Sequence, residues 1–268
     1  MSTTKHLINE IKNIIDHLPD LMKEPITADN LIEKREVYGL IAAEMAKDQP
    51  TIDGIKTLEL KAINPQDNFE VSLFLHRPNG VDTSLPCLLW IHGGGYIIGS
   101  AESDGFMAQQ IAKSLNCAVA VVDYRLAPEN PYPLPLQDCY TGLNYIFDNT
   151  ESLNLDAQKI AVLGISAGAG LAAGLTLLNR DQSGNNLCGQ VLLYPMLDDT
   201  NILSAEGPDD NFIIWPRESN LFGWQSYLGK LFGAADVPSY AAAARSQNLA
   251  GLPKALVIVG DLDLFVQE

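Results

Sequence analysis

The chain has 268 residues, and 47% of them are hydrophobic, which is enough for a single sizeable core. Its 33 acidic and 17 basic residues give a formal net charge of −16. This charge disfavours nucleic acids and anionic membrane surfaces as partners, because both recruit Lys and Arg. A neutral or cationic small molecule fits the composition better.

No apolar run reaches the ~18 residues of a membrane span, and the stretch MSTTKHLINEIKNIIDHLP lacks the apolar core of a signal peptide. We therefore expect a cytoplasmic location and no membrane partner. The four cysteines and four histidines are scattered, without the spacing of a disulfide scaffold or a metal site. Neither a metal nor another cofactor is expected.

The N-terminal region predicts two helices. In the first, apolar residues recur at spacings of three and four, at Leu7, Ile11, Ile14, Ile15 and Leu18. The second follows in LIEKREVYGLIAAEMAKD. Because both precede every strand signal, we interpret residues 1–48 as a helical cap appended to a core of residues 49–268. A plain helical hairpin packed on the core is the alternative.

Strand patterns begin after residue 51. The segments IDGIKTLELKA and FEVSLFLHRP alternate like an antiparallel pair. Five nearly continuous apolar runs follow, which predict strands buried on both faces: CLLWIHG, CAVAVVDY, KIAVLGIS, QVLLYP and ALVIVG. Helical segments separate the first four runs, and the alternating order predicts an α/β fold with a parallel sheet covered by helices on both faces.

A long segment separates QVLLYP from ALVIVG. It contains NFIIWPRESNLFGWQSYLG, with two of the three tryptophans. Segments of this length are usually functional or packed against something, so we interpret residues 200–235 as a second part of the cap. Phe212, Trp215 and Trp224 would line an apolar pocket if they face it, or else belong to the core.

The pattern Gly-x-Ser-x-Gly lies between an apolar strand and an Ala/Gly/Leu-rich helix, in KIAVLGISAGAGLAAGLTLL. A turn this sharp needs very small flanking residues, and it lifts the serine hydroxyl clear of the sheet, above a helix N-terminus. Ser166 is therefore a candidate nucleophile. A glycine-rich loop that merely contains a serine is the alternative.

A second glycine motif ends another strand, in LLWIHGGGYIIGS. Three successive glycines allow backbone N–H groups to point inward without obstruction, as binding of a tetrahedral oxyanion requires. A flexible loop or a phosphate-binding loop are the alternatives. The second of these requires a Lys-Ser/Thr pair or a GxGxxG frame, and neither follows here.

Together, HGGG, DYRLAPENPYP, GISAG and GDLDLFVQE resemble the hormone-sensitive-lipase-like branch of the α/β-hydrolases, from about residue 50 onward. The resemblance implies a mostly parallel central sheet with helices on both faces and a helical cap. It also implies a carboxylesterase that acts on small neutral esters with short to medium acyl chains. A catalytically inactive binding protein on the same fold is the alternative.

The resemblance assigns a role to each matching residue. Ser166 resembles the nucleophile and Asp263 the triad acid, while the amides of Gly94, Gly95 and Ala167 resemble the oxyanion hole.

Other matching residues are expected to be structural. His92, the first residue of HGGG, would support the loop, and Arg125 and Glu129 would form an ionic brace near it. The sequence departs from the family pattern at Ile165, where many relatives carry aspartate, and at Gln267, where an acid is more usual.

The triad base is missing from this pattern. In α/β-hydrolases the order is serine, acid, histidine, yet no histidine follows His92. We interpret the chain first as a truncated esterase that lacks the last strand, which leaves ALVIVG as an exposed sheet edge and makes the family's usual homodimer doubtful. A shortened binding protein and a base supplied by a partner chain are the alternatives.

Overall fold

The structure is a computed structural model that describes residues 17, 19–48, 52–201, 215–261 and 263–268. Almost all of the first predicted helix, and Phe212, lie outside the described residues. No helix in the described ranges is both long and apolar enough to cross a bilayer.

Helices and strands follow the predicted order. The α-helices are α1 (Asp20–Lys23), α2 (Leu31–Asp48), α3 (Gly105–Leu115), α4 (Leu134–Asp148), α5 (Ala167–Asp181) and α6 (Arg217–Leu228). The strands are β1 (Ile55–Ile63), β2 (Glu70–Pro78), β3 (Leu85–Ile91), β4 (Ala118–Asp123), β5 (Leu155–Ile165), β6 (Gly189–Leu193) and β7 (Ala255–Ile258).

The strands form one sheet in the order β1-β2-β4-β3-β5-β6-β7. β1 pairs with β2 and β2 pairs with β4 in antiparallel fashion, while the neighbours from β4 to β7 are parallel. The predicted antiparallel start and the mostly parallel sheet are therefore confirmed. Because the carboxyl ends of parallel strands meet at one edge, HGGG after β3 and GISAG after β5 lie side by side.

Successive residues of the central strands face opposite layers, as the two-residue period of a strand requires. Leu89 and Val122 belong to the larger core cluster on the side of α4 and α5. Trp90 and Val121 pack in a smaller cluster with alanines of α3 on the other side. The central apolar runs are thus buried on both faces, as predicted.

β7 departs from this prediction. Its residues are exposed, with relative exposures of 54% for Leu256, 53% for Val257 and 51% for Ile258. Within the described ranges β7 pairs only with β6 and forms the edge of the sheet. Burial on both faces is therefore wrong for this strand, whereas the expected exposed edge is observed.

Candidate active site

Ser166 stands on a strained turn between β5 and α5. Its φ of 54° and ψ of −119° lie in a region that residues with a side chain rarely adopt. Surrounding backbone bonds hold this conformation: the Ser166 N–H donates to Leu193 O (2.9 Å), and the Ser166 carbonyl accepts from Gly170 and Met196 (both 3.1 Å). The turn thus holds a half-buried serine at the carboxyl edge of the sheet.

The two flanking glycines are required by close backbone contacts. A Cβ on Gly164 would lie 2.3 Å from Gly168 O, and a Cβ on Gly168 would lie 2.2 Å from Ile91 O. Any side chain at either position would therefore separate β5 from α5 or α5 from β3. This explains physically why the turn carries glycine on both sides of the serine.

The HGGG loop lies directly beside this turn. A Cβ on Gly93 would lie 3.6 Å from Ser166 Cβ. Gly94 and Gly95 have φ angles of +114° and +59°, and a Cβ on Gly94 would meet Ile98 O at 2.1 Å. The structure thus brings the glycine loop to the candidate nucleophile, in a conformation that favours glycine.

Ala167 completes the predicted group of amides. It is the first residue of α5 and is fully buried, directly after Ser166. Its N–H belongs to the first turn of a helix, where amides lack intrahelical acceptors and carry partial positive charge. A developing negative charge beside Ser166 would therefore meet favourable electrostatics.

His92 is buried behind the glycine loop. Its ring stacks on Tyr124, with centroids 4.1 Å apart, and its Nδ1 lies 2.8 Å from Gly93 O. The Tyr124 hydroxyl donates to the His92 carbonyl (2.9 Å). Burial lowers the pKa of His92, so the ring is neutral and donates from Nδ1. These contacts fit a loop-supporting role.

Arg125 does not pair with Glu129, which corrects the predicted brace. Its guanidinium makes a bidentate contact with the fully buried Asp138 (2.7 and 2.8 Å) and a single bond to Asp67 (2.6 Å). The same group stacks 4.1 Å above the Phe69 ring. Arg125 therefore points toward the β1–β2 turn, away from Glu129.

Glu129 instead binds Arg35 of α2, at 2.7 and 2.9 Å. Arg35 also donates to Ile97 O (2.7 Å), after the glycine loop, and to Ala127 O (2.8 Å). One side chain thus fastens α2 to two loops at the site. This role could not be predicted, because Glu33 and Glu36 are nearer potential partners of Arg35 in the sequence.

The two segments predicted to form a cap contact each other and the glycine loop. The Ile26 N–H donates to Ser219 Oγ of α6 (2.9 Å). Trp215 packs so closely on Gly95 that a Cβ there would lie 2.0 Å from its ring. Trp224 is fully buried and contacts Tyr96, so it belongs to the core.

Asp263 follows β7 at the same sheet edge. It is half-buried, it accepts a hydrogen bond from Phe265 N (2.9 Å), and desolvation raises its pKa. Tyr194 follows β6, between the strands that lead to Ser166 and Asp263, and its φ is 36°. Burial first, and then the charges of Asp104 and Asp263, raise the pKa of the Tyr194 phenol.

Tyr194 is a site residue that the sequence reasoning missed. Two features of the sequence could have indicated it: Tyr194 ends an apolar run, and Pro195 follows it directly. In the sheet, Leu193 pairs with Ile165, so Tyr194 and Ser166 each follow directly after a paired strand end.

Comparisons with known proteins identify relatives of this arrangement. A family profile described as alpha/beta hydrolase fold matches residues 88–268. The chain resembles the structure of a bacterial heroin esterase with a TM-score of 0.87 and 35% identity, over 96% of this chain and 80% of that one. Esterase LipI from Mycobacterium tuberculosis is 29% identical over 80% of this chain and 67% of its own length.

A third relative is a putative alpha/beta hydrolase, R526, from Acanthamoeba polyphaga mimivirus. It is 30% identical over 63% of this chain. The match spans 50% of the length of that protein.

Proposed function

We infer the function from the family, because this chain belongs to the α/β-hydrolase fold family and to its hormone-sensitive-lipase-like branch. We propose that it is a carboxylesterase with Ser166 as nucleophile. The observation that carries the proposal is the strained Ser166 turn directly beside the glycine loop. A hydroxyl lifted out of a sheet next to inward-facing amides is an arrangement suited to acyl transfer.

In the proposed reaction, the Ser166 Oγ attacks the ester carbonyl carbon. The amides of Gly94, Gly95 and Ala167 donate to the oxyanion that forms. Collapse of this intermediate breaks the bond to the alcohol and leaves an acyl-enzyme, which water then hydrolyses to the acid and free Ser166.

The base that takes the serine proton is a histidine oriented by Asp263. No histidine follows His92 in the sequence. His92 itself is buried and neutral behind the glycine loop. A carboxylate with burial on one side and a backbone donor on the other is suited to holding an imidazole ring.

The proposed substrates are small neutral esters with short to medium acyl chains. Trp215 covers Gly95 at contact distance, which restricts the space above the glycine loop. The net charge of −16 disfavours anionic substrates.

A small-molecule binding protein without catalysis is the second candidate. The observation that favours it is the absence of any histidine after His92 in the sequence. Without a positioned base, a serine hydroxyl is a poor nucleophile at neutral pH.

Hydrolysis of a p-nitrophenyl ester series tests this function. The assay compares the protein with its Ser166→Ala variant. We expect acetate and butyrate to be hydrolysed about tenfold faster than palmitate, because Trp215 restricts the space above the glycine loop. Fastest turnover of palmitate would contradict the acyl-length proposal, and ester binding without turnover by either protein would favour the binding function.

Gly94→Ala is expected to lower the rate at which a fluorophosphonate probe labels Ser166, by about 10²-fold. The new Cβ would lie 2.1 Å from Ile98 O at a φ of +114°, so the loop must move and an oxyanion donor is misplaced. Labelling kinetics followed by mass spectrometry measure the effect.

Gly80→Ala is the matched control. Gly80 also has a positive φ (+67°), but its added Cβ meets nothing within 4 Å. An equal loss of labelling in both variants would attribute the effect to general backbone strain and contradict the role of Gly94.

A further inference from the structure

The side chain of Glu268 is half-buried beneath the segment that follows β6. Its Oε2 accepts hydrogen bonds from the N–H groups of Leu197 (2.5 Å) and Asp198 (2.9 Å). Its Oε1 accepts from the Asn201 side-chain amide (2.6 Å). One carboxylate therefore holds three donors of a segment far from it in sequence.

This segment contacts the candidate active site through Met196. The Met196 N–H donates to the Ser166 carbonyl (3.1 Å), and the Met196 carbonyl accepts from the Tyr96 hydroxyl (3.2 Å). Tyr96 directly follows Gly95. Met196 therefore joins the strained serine turn to the glycine loop, and Glu268 anchors the residues that follow Met196.

Most side chains around the carboxylate are apolar. Glu268 lies at the wall of a cavity of about 510 Å³ whose other nearby lining is largely apolar, including Leu177, Leu192 and Leu197. Without Glu268, the amides of residues 197 and 198 would face apolar side chains. Backbone amides left without partners in such surroundings favour rearrangement of the segment.

We propose that Glu268 is a positioning residue that fixes Ser166 relative to the glycine loop, by holding the segment of residues 196–201. This inference rests on the proposed function, because the alignment of Ser166 with the glycine loop matters only if Ser166 is the nucleophile. Glu268 touches no reacting atom and acts only through Met196.

The charges around Glu268 give the anchor a pH dependence. Burial, and to a smaller extent the Asp198 carboxylate, raise the pKa of Glu268 to about 7 against the hydrogen bonds that lower it. The Tyr96 phenol faces it from the end of the glycine loop, and burial first, then the charges of Glu268, Tyr124 and Asp199, raise the pKa of Tyr96. Asp199 is itself paired with Arg245 (2.6 and 2.7 Å).

The sign of the effect follows from linkage. The folded state binds the Glu268 proton more tightly than the open state, whose carboxyl titrates near the ordinary pKa of 4.5. Protonation of Glu268 therefore stabilises the closed segment fully below pH 4.5, and this stabilisation is lost as the pH rises through 7. Opening of the segment should become easier over this range, by up to roughly 300-fold for a shift from 4.5 to about 7.

Three variants test the proposal: Glu268→Ala, Glu268→Gln and, as matched control, Asp261→Ala. The control removes an exposed carboxylate from the stretch after β7 that also contains Glu268. Two quantities are measured between pH 5 and 8. Hydrogen exchange of the peptide spanning residues 194–201, corrected for intrinsic rates, reports the anchor itself. The rate of fluorophosphonate labelling at Ser166 reports its consequence.

We expect Glu268→Ala to lose exchange protection in this peptide and to label about tenfold more slowly, while Asp261→Ala matches the wild type. Glu268→Gln keeps an oxygen for the two backbone amides, so it should restore both quantities at pH 6. It should also remove the pH dependence of exchange, because an amide does not titrate.

Unchanged exchange in Glu268→Ala would overturn the proposal, and so would a Glu268→Gln variant that keeps the wild-type pH dependence. Wild-type-like labelling by Glu268→Ala, together with lost exchange protection, would also overturn it, since the anchor would then not position Ser166. Failure of the wild type to label at Ser166 would count against the proposed function instead, and exchange would still decide whether the anchor exists.

Discussion

Replacing Ser166 by alanine is expected to abolish covalent labelling of the chain by a fluorophosphonate probe. The same change should lower the proposed ester hydrolysis by ~10⁴-fold or more, because loss of the nucleophile removes the acyl-enzyme route. Among the serines that the structure describes, Ser166 alone combines a strained turn with the adjacent glycine loop. Intact-mass spectrometry and peptide mapping measure the labelling.

Ser183→Ala is the control for this experiment. Ser183 also has a positive φ (52°), but it is exposed and lies after α5, away from the glycine loop. It should label no more than other surface serines, and its replacement should change nothing. A wild-type protein modified at several serines, with Ser166 not preferred, would count against a nucleophile at this position.

Asp138→Ala is expected to destabilise the fold by about 3–5 kcal/mol, as removal of one partner from a buried ion pair does. Asp138 is fully buried and binds Arg125 through both carboxylate oxygens, while one of them also accepts from the Asn64 amide (3.0 Å). The Arg125 side chain is only 12% exposed, so its charge would be left largely out of water. Urea unfolding followed by far-UV circular dichroism gives the free energy.

The matched control is Asp67→Ala, which removes the other carboxylate bound to Arg125. The Asp67 side chain is 32% exposed, and water can replace its contact. Asp67→Ala should therefore lower the free energy of unfolding much less than Asp138→Ala. Comparable decreases in the free energy of unfolding for the two variants would contradict this expectation. They would show that the effect comes from loss of any carboxylate bound to Arg125, and not from the burial of Asp138.

The fold was predictable because local sequence pattern and tertiary structure agree along most of the chain. The central runs of β3, β4 and β5 (CLLWI, AVAVV and IAVL) are apolar without interruption, as a strand between two helical layers favours. β7 carries the same pattern yet is exposed, because residue type reports the preference of a strand for burial and not whether another element covers it.

The candidate nucleophile and glycine loop were predictable for a different reason. Sharp turns and close backbone approaches admit only glycine, so Gly94, Gly164 and Gly168 leave a mark in the sequence itself. Long polar side chains leave no such mark. Arg125 and Glu129 are four residues apart and suggested one brace, yet each reaches a partner that only the folded chain brings near.

The contacts of Arg35 change how the N-terminal segment should be regarded. Since its guanidinium holds Glu129, Ile97 O and Ala127 O together, α2 is part of the scaffold that keeps the glycine loop in place. A protein that begins at residue 49 would lose this contact while keeping every residue of the GISAG and HGGG motifs. The helical segment is therefore not an interchangeable module, and transplanting one from another esterase would have to supply an arginine at the same point.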